Sequence, residues 1–126
     1  MNPKTKNIIN WVLAGLVAFI FLGSAGNKLS GSEEVIKMAE SFGISADHFR
    51  MIAIVELIAA LLFLYPRTGL LGTLLLTAFM GGAIATHVEH GQSFVAPAVI
   101  LAFLWITSVL RFPELLDRIL GRQDGK

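Results

Sequence analysis

The sequence contains no cysteine, which excludes disulfides, thiol redox chemistry and thiolate metal sites and leaves the redox compartment open. Charge is also scarce: 15% of the 126 residues are Asp, Glu, Lys or Arg, and the formal net charge is +1. No basic, aromatic-rich surface for nucleic acid can be assembled from it. The glycines lack the loop context and the lysine of a phosphate-binding loop, and the acids and hydroxyls have no order that points to a Ser-His-Asp nucleophile. Alternation of apolar and polar residues is missing too, so nothing suggests a β-barrel.

What remains is apolar. Hydrophobic residues make up 55% of the chain and its mean hydropathy is +0.71. A soluble domain of this length has a large polar surface to cover, so the excess has to meet lipid. Four apolar windows, about residues 8–25, 49–65, 70–86 and 94–110, each approach the ~17–25 residues that a bilayer-crossing helix requires. The expected fold is all-α: one domain over residues 1–126, a four-transmembrane-helix bundle in contact with the lipid bilayer. The first window also has features of a signal peptide, Lys4 and Lys6 before an apolar run that ends in "GSAG", but the run is long for that role and is read as a retained span.

Positive charge sets the expected orientation. With four spans, Lys4, Lys6, Arg67, Arg111, Arg118, Arg122 and Lys126 share one side, against Lys28, Lys37 and Arg50 on the other. Both termini are therefore expected in the cytoplasm, with the chain in a plasma or inner membrane.

Two further segments are amphipathic. In "SGSEEVIKMAESFGI", Ser30 and Glu33 have capping-box spacing, and Val35, Ala39 and Phe42 recur on one face. This predicts a short helix between the first two spans. "FPELLDRIL", with Pro113 at a first helical position, predicts an interfacial helix at the C-terminus. A lid and a docking surface are the functional readings of the two; the plainer reading rests each apolar face on lipid or on the bundle. The closing "GRQDGK" reads as a frayed tail.

In the third span Gly69, Thr73, Thr77, Gly81 and Ala85 fall at four-residue intervals, with Gly82 beside them. A stripe of small residues lets helix backbones approach closely, and close packing is what holds a bundle together in lipid.

The ionisable residue that stands out is Glu56, alone among apolar neighbours in "MIAIVELIAALLFLYP". On insertion scales a charge near the bilayer centre costs about 2.5–3.5 kcal/mol, so the carboxylate has to turn inward to a partner. At ~1.5 Å per residue it lies about 12 Å inward from the start of its span, level with Gly81–Ala83 of the third. Lys28 can run its stem along the helix to reach it, and a Lys28–Glu56 pair is the central geometric expectation. Ser24, Asn27, Thr86 and His87 lie nearby along the spans and complete the candidate polar pocket with Lys28 and Glu56. The plain alternative is that these groups merely fix how helices meet. His87 and His90, spaced i, i+3 about Glu89, could in principle supply imidazoles to zinc, copper or haem, but they equally suit a helix C-terminus, with Gly91 as its cap. No metal site is expected.

"FLGSAGNKLSG", "VELIAALLFLYPRT" and "LGTLLLTAFMGGAIATHVEHG" together resemble the DoxX family of small four-helix membrane proteins, in particular its DoxX-like branch. The resemblance runs from about Trp11 to Leu110. The matching positions are Lys28 closing the first helix, Glu56 in the second, the turn Pro66–Thr68 and His87 late in the third; Ala25 stands where the family often has glycine. The wider family is linked to quinone-coupled thiosulfate oxidation, to membrane oxidoreductase assemblies and to chaperone-like receptor assembly. The residues and the resemblance together leave three readings. The first is an accessory subunit binding a hydrophobic small molecule, a quinone being one candidate, in an outward-facing pocket where Lys28 and His87 hydrogen-bond carbonyl oxygens and Glu56 accepts or relays a proton. The second is a non-catalytic assembly protein with a membrane-protein partner or a second copy of itself. The third is a proton-coupled transporter titrating at Glu56.

Overall fold

A computed structural model describes residues 2–122. Six α-helices account for most of them, with no strand among the described residues: α1 (Pro3–Leu29), α2 (Glu33–Ser41), α3 (Ala46–Leu64), α4 (Gly69–Glu89), α5 (Val95–Arg111) and α6 (Pro113–Ile119), with a 3-10 turn over Pro66–Thr68. The end of the expected frayed tail, residues 123–126, lies outside the described residues.

Local chemistry sets the boundaries. Asn2 caps α1, its side chain accepting from the Lys4 N–H at 2.8 Å, with Pro3 at the first helical position. The cap of α2 is Ser32, which accepts from the Val35 N–H at 3.3 Å. This corrects the capping-box reading of Ser30, whose hydroxyl instead donates to the Asn27 carbonyl at 2.6 Å and finishes α1. Ser45 caps α3 through the His48 N–H. That helix stops at Leu64 because Tyr65 precedes a proline and is forced into an extended conformation, φ −76° and ψ 124°. Gly91, at φ +67°, turns the chain after α4 in a backbone region closed to most other residues.

α1, α3, α4 and α5 pack side by side in that cyclic order, so that each touches two neighbours. Their shared core is Ala14, Val17, Phe21, Ala59, Ala60, Phe63, Leu76, Met80 and Leu104. Around it the usual distribution is inverted. Glu56, Thr73, Thr107 and Ser108 are buried, whereas Val12, Leu16, Val55, Ile58, Leu74, Val99 and Ile106 are exposed and Phe19 is 76% exposed. An outer surface this apolar is suited to acyl chains. Pro3–Leu29 and Pro66–Glu89 are each long and apolar enough to cross a bilayer, and α5 with α6 would make a third span only across a 110° break. Any 18 consecutive residues of α3 include Asp47, Arg50 and Glu56, and α5 alone is 17 residues long.

The small-residue stripe of α4 packs only along its first half. Gly69 and Thr73 are buried, and Thr73 Oγ1 meets Ser108 Oγ at 2.9 Å. Thr77 Oγ1 accepts from the Trp105 indole N–H at 2.9 Å. Gly81 and Ala85 are exposed, and a Cβ at Gly81 would meet nothing within 4 Å. A four-residue step exceeds one helical turn by about 40°, so a strictly four-residue row winds away from the neighbouring helix. The closest approach is instead at Gly72, where a Cβ would collide with the backbone of Leu62 and Phe63.

At the same end of the bundle, the Arg111 guanidinium donates to the carbonyls of Phe63 and Leu64 and lies 5.1–5.4 Å from the rings of Trp11, Phe63 and Phe112. Those carbonyls are left without helical partners where α3 breaks at Tyr65. In the sequence Arg111 is read only as a charge that sets orientation.

Candidate functional site

The last two turns of α1 carry Ser24 and Lys28 at i, i+4, one above the other on the face turned to α3. From there the Lys28 stem reaches Glu56, whose side chain is 2% exposed, and its Nζ lies 2.8 Å from Oε1. Ser24 joins both partners, accepting from Lys28 Nζ at 3.1 Å and donating to the same Glu56 oxygen at 3.4 Å. The ammonium is further covered by the Phe79 ring at 4.8 Å and the Phe49 ring at 5.9 Å, whose π faces favour a cation. The pair expected from the sequence is thus present in the structure. The other carboxylate oxygen, Oε2, accepts from no donor among the described residues.

Glu56 and Lys28 stand on the wall of a cavity of about 640 Å³ between the four long helices, at the end where α1 and α4 finish. Ser24, Thr86 and His87 line it as well, and the remaining lining is largely apolar. Gly82 and Ala83 leave the space on the α4 side. Met38 of α2, with Phe42 and Ile44 after it, faces the cavity from the connecting segment, which α2 anchors by packing Val35 and Ala39 on Phe49. The short helix therefore rests on the bundle beside the cavity.

The His87 ring is fixed by its backbone. Nδ1 lies 2.7 Å from the Ala83 carbonyl oxygen, which can only accept, so Nδ1 carries the hydrogen and Nε2 of the neutral ring is an acceptor. Phe42 packs on it with ring centroids 4.8 Å apart. His90 makes the same kind of backbone contact to Thr86, and His48 Nδ1 pairs with Ser45 Oγ. Among the described residues no three His, Asp or Glu side chains converge as a metal site would need.

Of the six residues expected in the pocket, five line this one cavity. Asn27 does not. It is exposed and offers only its carbonyl, to Ser30, because one residue along a helix is about 100° around it from Lys28. Phe79 and Phe42 were not anticipated. Phe79 precedes Gly82 by three residues and Ala83 by four, so it shares the face that depth arithmetic sets opposite Glu56; that spacing was the available signal.

The model of a family described as DoxX-like matches residues 12–108. The chain belongs to the DoxX-like family. The match takes in Lys28, Glu56 and His87 and leaves out the first turns of α1, the last residues of α5 with Arg111, and the whole of α6. No significant match to the chain was found among curated proteins or among solved structures. Family membership and the apolar outer surface together make this DoxX-like chain a membrane protein.

Proposed function

We propose that this DoxX-like protein crosses the membrane four times, with both termini cytoplasmic, and that its cavity opens on the outer side and binds a hydrophobic small molecule. On this reading α3 and α5 also span, the charges of α3 being either in its first turns or paired inside. The protein would serve as an accessory subunit, and a quinone coupled to a membrane oxidoreductase, in its reduced, hydroxyl-bearing form, is one ligand within the class. One observation carries the reading: a carboxylate stands on the wall of a largely apolar cavity, with one oxygen held by Lys28 and the other without a partner among the described residues. Binding pockets typically combine ~300–1,000 Å³ of largely apolar lining with a few placed polar groups.

Mass spectrometry of molecules that co-purify in mild detergent tests this directly. A stoichiometric apolar small molecule supports the reading, and a preparation that carries only bulk lipid and takes up no added hydrophobic ligand opposes it.

The assembly reading is favoured by α6, bent by 110° from α5 with Leu116, Ile119 and Leu120 exposed. If it holds, deletion of residues 113–120 abolishes capture of a specific membrane protein while Glu56→Gln leaves capture intact. Transport titrating at Glu56 would require pH-driven uptake into liposomes.

A further inference from the structure

We infer that the cavity selects a hydrophobic molecule whose head group donates a hydrogen bond, such as a long-chain alcohol or phenol, over one whose head is a carbonyl or an ether. This rests on the cavity being a small-molecule site and specifies the chemistry it takes.

The argument follows each polar hydrogen that borders the cavity. Lys28 has three. One is directed to Glu56 Oε1 at 2.8 Å and one to Ser24 Oγ at 3.1 Å, and the ammonium is otherwise covered by the rings of Phe79 and Phe49. Ser24 spends its hydrogen on Glu56 Oε1, Thr86 on the Gly82 carbonyl at 2.8 Å, and His87 Nδ1 on the Ala83 carbonyl at 2.7 Å. At the rim, the Gln92 amide turns to Ser41 Oγ. Below the rim every donor hydrogen but the third of Lys28, which lies against the two rings on a side chain 14% exposed, is therefore committed within the protein.

The acceptors are not. Glu56 Oε2 and His87 Nε2 have no partner among the described residues. Neither is sealed in: the single buried, unpartnered polar side-chain atom among those residues is Thr107 Oγ1, which does not border the cavity. A hydroxyl satisfies either acceptor, whereas a carbonyl or ether oxygen would face lone pairs with no hydrogen between them. The expectation that Lys28 and His87 donate to a carbonyl is replaced by the reverse polarity.

The test uses the full chain in lipid nanodiscs and three probes of matched shape: a long-chain alkylphenol, its methyl ether and the corresponding aryl ketone. Binding is measured by calorimetric titration on the wild type and on His87→Phe, with thermal melting to verify that the variant is folded. The phenol is expected to bind at least about tenfold more tightly than the ether or the ketone, and His87→Phe to narrow that margin several-fold. Equal or tighter binding of the ketone or ether would overturn donor selection and leave the cavity reading standing. Binding of none of the three would remove the cavity reading and this inference with it. An unchanged margin in folded His87→Phe would exclude His87 from recognition and contradict the acceptor pair.

Discussion

The Lys28–Glu56 pair is supported by a single serine, and in a low-dielectric interior that support matters. Burying two charges costs about as much as their attraction returns, whereas removing one partner strands the other and costs roughly 3–5 kcal/mol. Glu56→Gln and Lys28→Met should each lower stability by about that amount in detergent unfolding assays. The double replacement Lys28→Met with Glu56→Met should recover most of the loss, since no charge is then left unpaired. If both single variants melt like the wild type, the pair is not the buried interaction described above. This contact was legible in the sequence because a lone carboxylate in an apolar run has few options, and rise per residue gives its depth. The exclusion of Asn27 and the covering of Lys28 by Phe79 were not, because each depends on helix rotation, which depth alone does not supply.

At the scale of elements, the tight seam of α3 with α4 is centred on Gly72, and Gly69 is close-packed on the Phe112 ring between α5 and α6. Gly72→Ala should lower the melting temperature, with overpacking of about 1–3 kcal/mol outweighing the helix-propensity gain of an alanine. Gly81→Ala, facing open space, should be neutral or slightly stabilising by the same measurement. The reversed order would show that the second half of α4 is the packed one. Arg111 makes a parallel case. It binds two carbonyls freed by the break at Tyr65, and a lysine cannot reproduce that two-pronged geometry. Arg111→Lys should therefore destabilise by roughly 1–3 kcal/mol, read by the same melts. Helix existence and approximate limits were legible from apolar run length. The packed face of α4 was not, since a strict four-residue row looks continuous in sequence yet winds around a helix of 3.6 residues per turn. Ser30 and Ser32 were likewise hard to separate, because both offer a hydroxyl near the start of α2.

For the whole molecule, the apolar exterior follows from a composition that leaves too little charge for a wetted surface, and the few polar side chains within the spans, Glu56, Thr73, Thr107 and Ser108, turn inward. Orientation rests on the distribution of Lys and Arg alone. Because the chain has no cysteine, single-cysteine labelling has no background. Ser93→Cys should react with an impermeant maleimide on intact cells, and Glu114→Cys only after permeabilisation; the opposite pattern would invert the topology and turn the cavity to the cytoplasm. The central claim is that the cavity holds a hydrophobic molecule through the groups around Glu56. It is tested most directly by quantitative mass spectrometry of small molecules retained by the wild type and by the charge-free Lys28→Met, Glu56→Met double variant, purified side by side and matched for thermal stability. The account predicts a defined molecule near one per chain in the wild type and its loss from the double variant. Equal retention by both would contradict it.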